Sequence, residues 1–273
     1  HQTRKGSPMP TKFDASGKRW VEMEFLVPGT PEEVWHAMAT GPGNAAWFTR
    51  AEIEEKIGGQ LTFHLMPGVT SGGTVTGWEP PHRFGYVELG WAENAPPIAT
   101  EISIIARSGD ECLVRMVHSL FSSTDNWDDQ MEGFEAGWPG FIEVLRLYLA
   151  HHADEPAASF QLSAEATGDG LVIWRKLLDG LGHEAADVGE NWTVEAGETF
   201  FGEVVGVRQD DRQRYVLARI DGETPGVGLF GLYRTGEMIR LSVCRFFYGE
   251  KAVQVAMASE PEWQAWLERV ARP

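Results

Sequence analysis

The sequence is poor in the residues that metal, redox and nucleic-acid chemistry use. Only two cysteines occur in 273 residues, Cys112 and Cys244, and neither has a second Cys or a His at metal-ligand spacing. Each sits in an apolar, strand-like run and reads as a buried small hydrophobe. Basic residues are scarce, 23 Lys and Arg against 40 Asp and Glu, for a formal charge of -17. A surface of that sign repels phosphate backbones and anionic lipid, so neither a nucleic acid nor a membrane is an expected partner. No run approaches the ~20 apolar residues of a membrane span and the N-terminus has no apolar signal core, so a cytoplasmic location is expected. There is no G-x-S-x-G elbow, P-loop or H-E-x-x-H. Gly226-Val227-Gly228-Leu229-Phe230-Gly231 matches G-x-G-x-x-G literally. Thr224-Pro225 precedes it and another strand follows, so it lacks the helix N-terminus a dinucleotide needs.

What the chain has is apolar surface to bury. Hydrophobic residues make up 42% and charged ones 23%, which suits a globular chain of one large domain or two ordinary ones. Trp138, Phe141, Ile142, Leu145, Tyr148 and Leu149 follow the i, i+3, i+4, i+7 spacing of one helical face. His151-His152 ends that run, where basic groups meet the negative end of the helix dipole. Pro139 fits best in a first turn, so the helix is expected to start near Gly137 or Trp138, with 132–136 as a separate or kinked lead-in.

Ahead of it, residues 19–27 alternate like a strand with one face on a core. Thr30-Pro31-Glu32-Glu33 reads as a helix start with Thr as N-cap, and Gly41-Pro42-Gly43 is expected to end that helix. A second short helical piece is expected through Ala45, Trp47 and Phe48. Hairpin-like strands follow over 51–55, 60–66, 73–79, 83–91, 99–107 and 112–121, separated by Gly- and Pro-rich turns. Strands in succession with helices to one side are the α+β pattern, an antiparallel sheet covered on one face by the long helix.

Residues 153–159 read as a linker. Beyond it the order repeats: strand, helix over 169–181, five strand-like runs, and a helix over 260–270 carrying Trp263, Trp266, Leu267 and Val270. Asp169 to Trp174 parallels Thr30 to Trp35, and the run from Gly236 to Phe247 parallels that from Gly109 to Phe121. A degenerate second copy is the reading, shorter in its hairpins and final helix, with an unrelated α+β domain as the alternative.

Pro31-Glu32-Glu33-Val34-Trp35, Trp47-Phe48, Gly58-Gly59, the hairpin from Gly73-Thr74-Val75 through Trp78-Glu79-Pro80-Pro81-His82-Arg83-Phe84, Val117-His118-Ser119 and Gly137-Trp138 form an ordered set. In that order and near that spacing, residues 20–149 resemble the family named for the activator of Hsp90 ATPase, in the bacterial branch of the START-like (Bet v 1-like, SRPBCC) superfamily. The resemblance implies a helix-grip fold, a curved antiparallel sheet wrapped around a long C-terminal helix with a cavity between them. The chain then divides into an N-terminal extension (1–18, its first eight residues read as a non-native remnant), a START-like domain (19–152), the linker (153–159) and a degenerate second START-like domain (160–273). Many relatives pair as dimers, and a tandem repeat would make that pairing internal, so a monomer with an internal pseudo-dimer, or a weak homodimer, is expected. The family name also carries a link to chaperones and stress response.

The candidate lining of the cavity is Trp47, Phe48, His64, Met66, Trp78, Tyr86, Glu88, Met116, His118, Phe134 and Trp138. His64 and His118 each lie inside a strand, where a satisfied core histidine is the plain reading and a polar handle for a ligand the functional one. Along 112–121 one face carries Val114, Met116, His118 and Leu120 and is the better candidate to point under the helix. Glu88 interrupts an apolar strand. No third metal ligand is evident, so no metal and no cofactor are expected. These features point to a small, largely apolar ligand with no catalytic residue assigned. The alternatives are a cyclase- or hydratase-like enzyme using His118 and Glu88, and a protein-interaction or co-chaperone-like module.

Overall fold

The computed structural model describes residues 11–273, and the side chains of all of these but 134–136. The segment His1 to Pro8 and the side chain of Phe134 therefore lie outside the described residues. Two compact units divide between Ala153 and Asp154, with the short segments Ala45–Arg50 and Leu65–Val69 grouping with the second.

The first half runs β1 (Lys12–Phe13), β2 (Lys18–Pro28), α1 (Pro31–Ala39), α2 (Gly41–Ala45), β3 (Ala51–Ile53), β4 (Gln60–Met66), β5 (Val69–Glu79), β6 (Arg83–Leu89), β7 (Ile98–Arg107), β8 (Glu111–Phe121) and α3 (Asp128–His151). Its strands form one sheet in the order β1-β2-β8-β7-β6-β5-β4-β3. Thr30 starts α1 through a capping box, its side chain accepting from Glu33 N while Glu33 reaches back to Thr30 N. α1 ends at Ala39, just ahead of Gly41-Pro42-Gly43 as expected, but those residues also open α2, which stops at Ala45, short of Trp47 and Phe48. A Cβ at Gly41 would lie 2.4 Å from Ala51 O and one at Gly43 1.8 Å from His36 O, so close backbone approach explains these glycines. The long helix also departs from expectation. It is continuous from Asp128, with Pro139 in its interior, so one backbone carbonyl loses its helical donor without ending the element.

The second half runs β9 (Ala157–Ala166), α4 (Gly170–Gly180), β10 (Asn191–Glu195), β11 (Thr199–Gln209), β12 (Gln213–Asp221), β13 (Gly226–Thr235), β14 (Met238–Tyr248) and α5 (Ala252–Ala271). Residues 157–159, read as linker, begin β9. The helix expected over 260–270 starts at Ala252 and holds Pro261 inside it, as α3 holds Pro139. The final helices are thus 24 and 20 residues long, closer than the sequence suggests.

The sheet order β10-β11-β12-β13-β14-β9 repeats the winding of the first half, in which β2 pairs with the last strand, β8, and the others meander outward from there, with the two-residue β1 added at the edge beside β2. The copies register closely. Val21 of β2 faces His118 of β8 nine residues before the N-cap Thr30, and Phe160 of β9 faces Arg245 of β14 nine residues before the N-cap Asp169. Both copies bulge at one place, between Val75 and Gly77 and between Val204 and Gly206. Two residues before each bulged valine stands a glycine, Gly73 or Gly202, whose Cβ would lie 2.2 Å from a carbonyl on the next strand. The same geometry thus recurs in Gly73-Thr74-Val75-Thr76-Gly77 and Gly202-Glu203-Val204-Val205-Gly206. β11 therefore corresponds to β5 and β10 to β4, and among the described residues the second copy lacks counterparts of α2 and of two short edge strands, the two-residue β1 and the three-residue β3. Loss at an edge leaves every other pairing intact, whereas loss of an inner strand would reverse the direction of its neighbours. The chain carries two tandem helix-grip copies.

Candidate functional site

The register of the first sheet builds the site. His118 of β8 faces Thr100 of β7, and Thr100 faces Tyr86 of β6. Directly opposed residues share a face, so the three form one row across the sheet. All are buried, at 5%, 2% and 7% exposure. Their neighbours on that face are apolar: Val114, Met116 and Leu120 along β8, and Ile98, Ile102 and Ile104 along β7. Among the expected site residues, Met116 is buried beside His118. Met131 at the start of α3 packs with Val21, Ile98 and Leu120.

His118 is hydrogen-bonded at both ring nitrogens. His118 Nδ1 lies 2.8 Å from Thr100 Oγ1, and Trp138 Nε1 on α3 donates to His118 Nε2 at 3.3 Å with the two rings nearly parallel. Burial lowers the His118 pKa to about 4, so the ring is neutral at physiological pH. Tyr86 faces Thr100 across the strands, and its phenol pKa is raised chiefly by burial and further by the charge of Glu88. Glu88, two residues along β6, accepts from Ser71 Oγ, and burial raises its pKa.

His118 and Glu88 are not in contact in this register. They stand two strands and one residue pair apart, roughly 12 Å between Cα atoms by strand geometry, with Thr100 and Tyr86 between them.

The other expected residues are placed as follows. Trp78 joins the inner face because the bulge adds a residue after Val75, and it packs edge-on against Trp35 at 4.9 Å and Phe84 at 5.7 Å. His64 takes the face of β4 opposite to buried Leu61 and Phe63, and its Nε2 meets Glu52 Oε2 at 2.5 Å. Strand parity is the reason: His64 is odd against Phe63, and apolar neighbours in sequence do not fix a face. Met66 shares its parity and, with Trp47 and Phe48, lies in a segment that groups with the second unit. Trp47 is buried, its ring 5.7 Å from that of Phe48. Sequence reasoning missed Thr100 and Ser71, small polar residues without a motif of their own.

In the second copy the position of His118 is held by Arg245, at 1% exposure. Its Nε meets Glu198 Oε1 and its Nη2 meets Glu198 Oε2 at 3.3 Å, while Nη1 donates to Val227 O at 2.8 Å and Phe246 O at 3.1 Å. The guanidinium lies 4.1 Å from the Phe247 ring centre. Trp263 of α5 donates its indole N–H to Glu198 Oε1 at 3.1 Å. The G-x-G-x-x-G run is part of this packing. A Cβ at Gly226 would lie 1.9 Å from Phe246 O and 3.3 Å from Arg245 Nη1, and one at Gly228 would meet the Phe230 ring at 2.5 Å. Both cysteines are buried, and burial raises the Cys112 thiol pKa and takes that of Cys244 up to about 12, so neither is a thiolate at neutral pH. Among the described residues no group of three His, Cys, Asp or Glu could hold a metal ion, and no helix is long and apolar enough to cross a membrane.

Residues 28–150 match the sequence model of the family described as Activator of Hsp90 ATPase homolog 1-like protein. That segment, just under half of the chain, is similar to this family. Its sheet, closed by the Trp138 helix, is the family's helix-grip architecture in this chain. No curated protein matches the sequence. Among solved structures, the chain is similar to CalU16 from Micromonospora echinospora (18% identity, 52% of this chain, 83% of that chain, TM-score 0.42). It is also similar to a subunit of the Aha1 dimer from Colwellia psychrerythraea (20%, 48% and 95%, 0.39). A third is BexL, a di-domain ARO/CYC protein of the BE-7585A biosynthetic pathway (12%, 93% and 100%, 0.45).

Proposed function

We propose that the Hsp90-activator-like domain binds a small, largely apolar molecule between its sheet and α3, with Trp138 as part of the roof and the row His118, Thr100 and Tyr86, flanked by Glu88 and Ser71, as its polar floor. One observation carries this reading. At the positions equivalent to Ser71, Tyr86, Glu88, Thr100 and His118, the second copy has Phe200, Ala218, Ile220, Gly228 and Arg245. The same frame therefore folds without the polar row. In the first copy Ser71, Tyr86, Thr100 and His118 are buried and Glu88 is half-buried; the second copy shows that the frame does not need them, so a ligand accounts for the row better than the fold does.

The reading also fits a site with apolar walls and few, well-placed polar groups. Native mass spectrometry of the full chain, purified without added ligand, tests it. The expected result is a co-purified small molecule in wild type that is lost in His118→Ala, and the same spectrum reports whether the chain is a monomer or dimer. A wild-type spectrum of bare protein, together with no thermal shift from any apolar compound, would refute the reading.

A further inference from the structure

We propose that the C-terminal copy carries a binding site of its own for an organic cation, an ammonium group on an apolar body, held between α5, the edge strand β9 and the 65–69 segment.

A cavity of about 560 Å³ lies there, lined by Pro67, Leu162, Met257, Glu260, Pro261 and Gln264. All six residues belong to the second unit, and the volume is that of a small-molecule site. β9 is an edge of its sheet. Leu162 on its inner face packs into the core under α5. Ser163 beside it donates to Met66 Sδ at 3.1 Å, which holds Pro67 near the strand. On α5, Met257, Glu260, Pro261 and Gln264 follow the i, i+3, i+4, i+7 spacing of one face. Met257 is 71% exposed, an apolar side chain that the core does not use.

Acceptors are in surplus on this wall. Gln264 Nε2 donates to Glu268 Oε1 at 3.0 Å, while Gln264 Oε1 is shut off from water and has no hydrogen-bond partner. Pro261 has no N–H, so the Met257 carbonyl one turn earlier loses its helical donor. Glu260 adds an exposed carboxylate, and none of the six lining residues is basic.

A ligand that completes the wall must therefore bring donors. An anion would meet Glu260 with no counter-charge, and a neutral carbonyl compound would set acceptor against acceptor. A bare divalent metal ion would leave most of its coordination sphere facing Pro67, Leu162 and Met257. An ammonium on an apolar body supplies donors and charge together, and its body covers the prolines, Leu162 and Met257. The chain's formal charge of -17 adds attraction at long range.

Three probes on one ring system test this: 2-(aminomethyl)naphthalene, 2-ethylnaphthalene and 2-naphthoate. Each is titrated into the full chain labelled with 13C at the methionine methyls, and affinity is read from the Met257 resonance, assigned with Met257→Leu. The ammonium should move that resonance and bind about tenfold more tightly than the hydrocarbon, the yield of one charge-assisted hydrogen bond, with the anion weakest. Glu260→Gln, at an exposed position, should weaken the ammonium about threefold and leave the hydrocarbon unchanged, and Glu260→Lys should abolish ammonium binding. Equal affinity for ammonium and hydrocarbon, tightest binding of naphthoate, or an unchanged ammonium affinity in Glu260→Lys would overturn the cation. A Met257 methyl that none of the three probes moves would overturn the site, whatever binds in the first copy.

Discussion

Where the last strand of each sheet faces the final helix, one copy holds His118 and the other Arg245, and a tryptophan indole reaches both, directly in the first and through Glu198 in the second. The two polar centres differ in how they are completed. Arg245 has its guanidinium satisfied within its own unit, by a carboxylate from the β10–β11 turn, two backbone carbonyls and an aromatic face. The His118 row is built instead of neutral groups, with Thr100 and the Trp138 indole on the imidazole. One frame, repeated, thus supports a charged, paired centre in one copy and a row of neutral polar groups in the other. The comparison teaches that helix-grip packing requires a filled inner face but not a polar one, which turns the second copy into an internal control for the first.

The largest effect should come from opening the closed centre. Glu198→Ala leaves Arg245 buried without its carboxylate and should cost about 3–5 kcal/mol, read as a shift in the urea midpoint of Trp fluorescence. The double variant Arg245→Met, Glu198→Leu removes both charges and should recover most of that loss, because a buried pair replaced by apolar groups of similar size is often nearly neutral. A cost for Glu198→Ala below ~1 kcal/mol would break the comparison, since Arg245 would then not depend on Glu198.

A smaller effect distinguishes the two centres by pH. The folded His118 pKa is lowered to about 4 from 6.5 by burial. The unfolded chain therefore takes up this proton first as pH falls. Its contribution to stability is present above 6.5 and is lost as pH drops toward 4, roughly 2 kcal/mol between pH 7.5 and 5. Glu88 acts in the opposite sense: burial raises its pKa from the ordinary 4.5, so its contribution is present below 4.5 and lost as pH rises through the folded value. The measurement is thus the difference between wild type and His118→Gln across this range, in which the other groups largely cancel. A flat difference would mean that His118 is not held neutral by burial.

Much of this was legible in the sequence, and particular residues show where legibility ended. Alternation over 112–121 put His118 with Val114, Met116 and Leu120 on one face, and the structure has that face inward, because strand parity is a local property. The bulge that carries Trp78 inward had no such signal in one copy. It becomes visible only when Val75-Thr76-Gly77 is set beside Val204-Val205-Gly206. Thr100, Ser71 and Glu198 were missed because their roles depend on register across strands distant in sequence, which no local pattern encodes. Pro139 misled: it was read as a first-turn residue, whereas tertiary packing holds the helix through the missing bond, and the helix read over 260–270 likewise starts earlier with Pro261 inside it.

The smallest test sharpens the claim that the copies are equivalent outside their centres. Thr30 and Asp169 stand at corresponding positions and cap α1 and α4, Thr30 through Glu33 N and Asp169 through Leu171 N and Val172 N. Thr30→Ala and Asp169→Ala should each cost about 1 kcal/mol, and glycine at either site only a few tenths, because glycine leaves the backbone amides open to water. The Thr30 backbone N–H also donates to Glu33 Oε1, so in a coupled box Glu33→Ala should lower stability further in wild type than in Thr30→Ala, with no counterpart in the second copy. If Glu33→Ala instead costs the same in both backgrounds, the capping box is not a coupled unit, and the two helix starts are held more alike than their residues suggest.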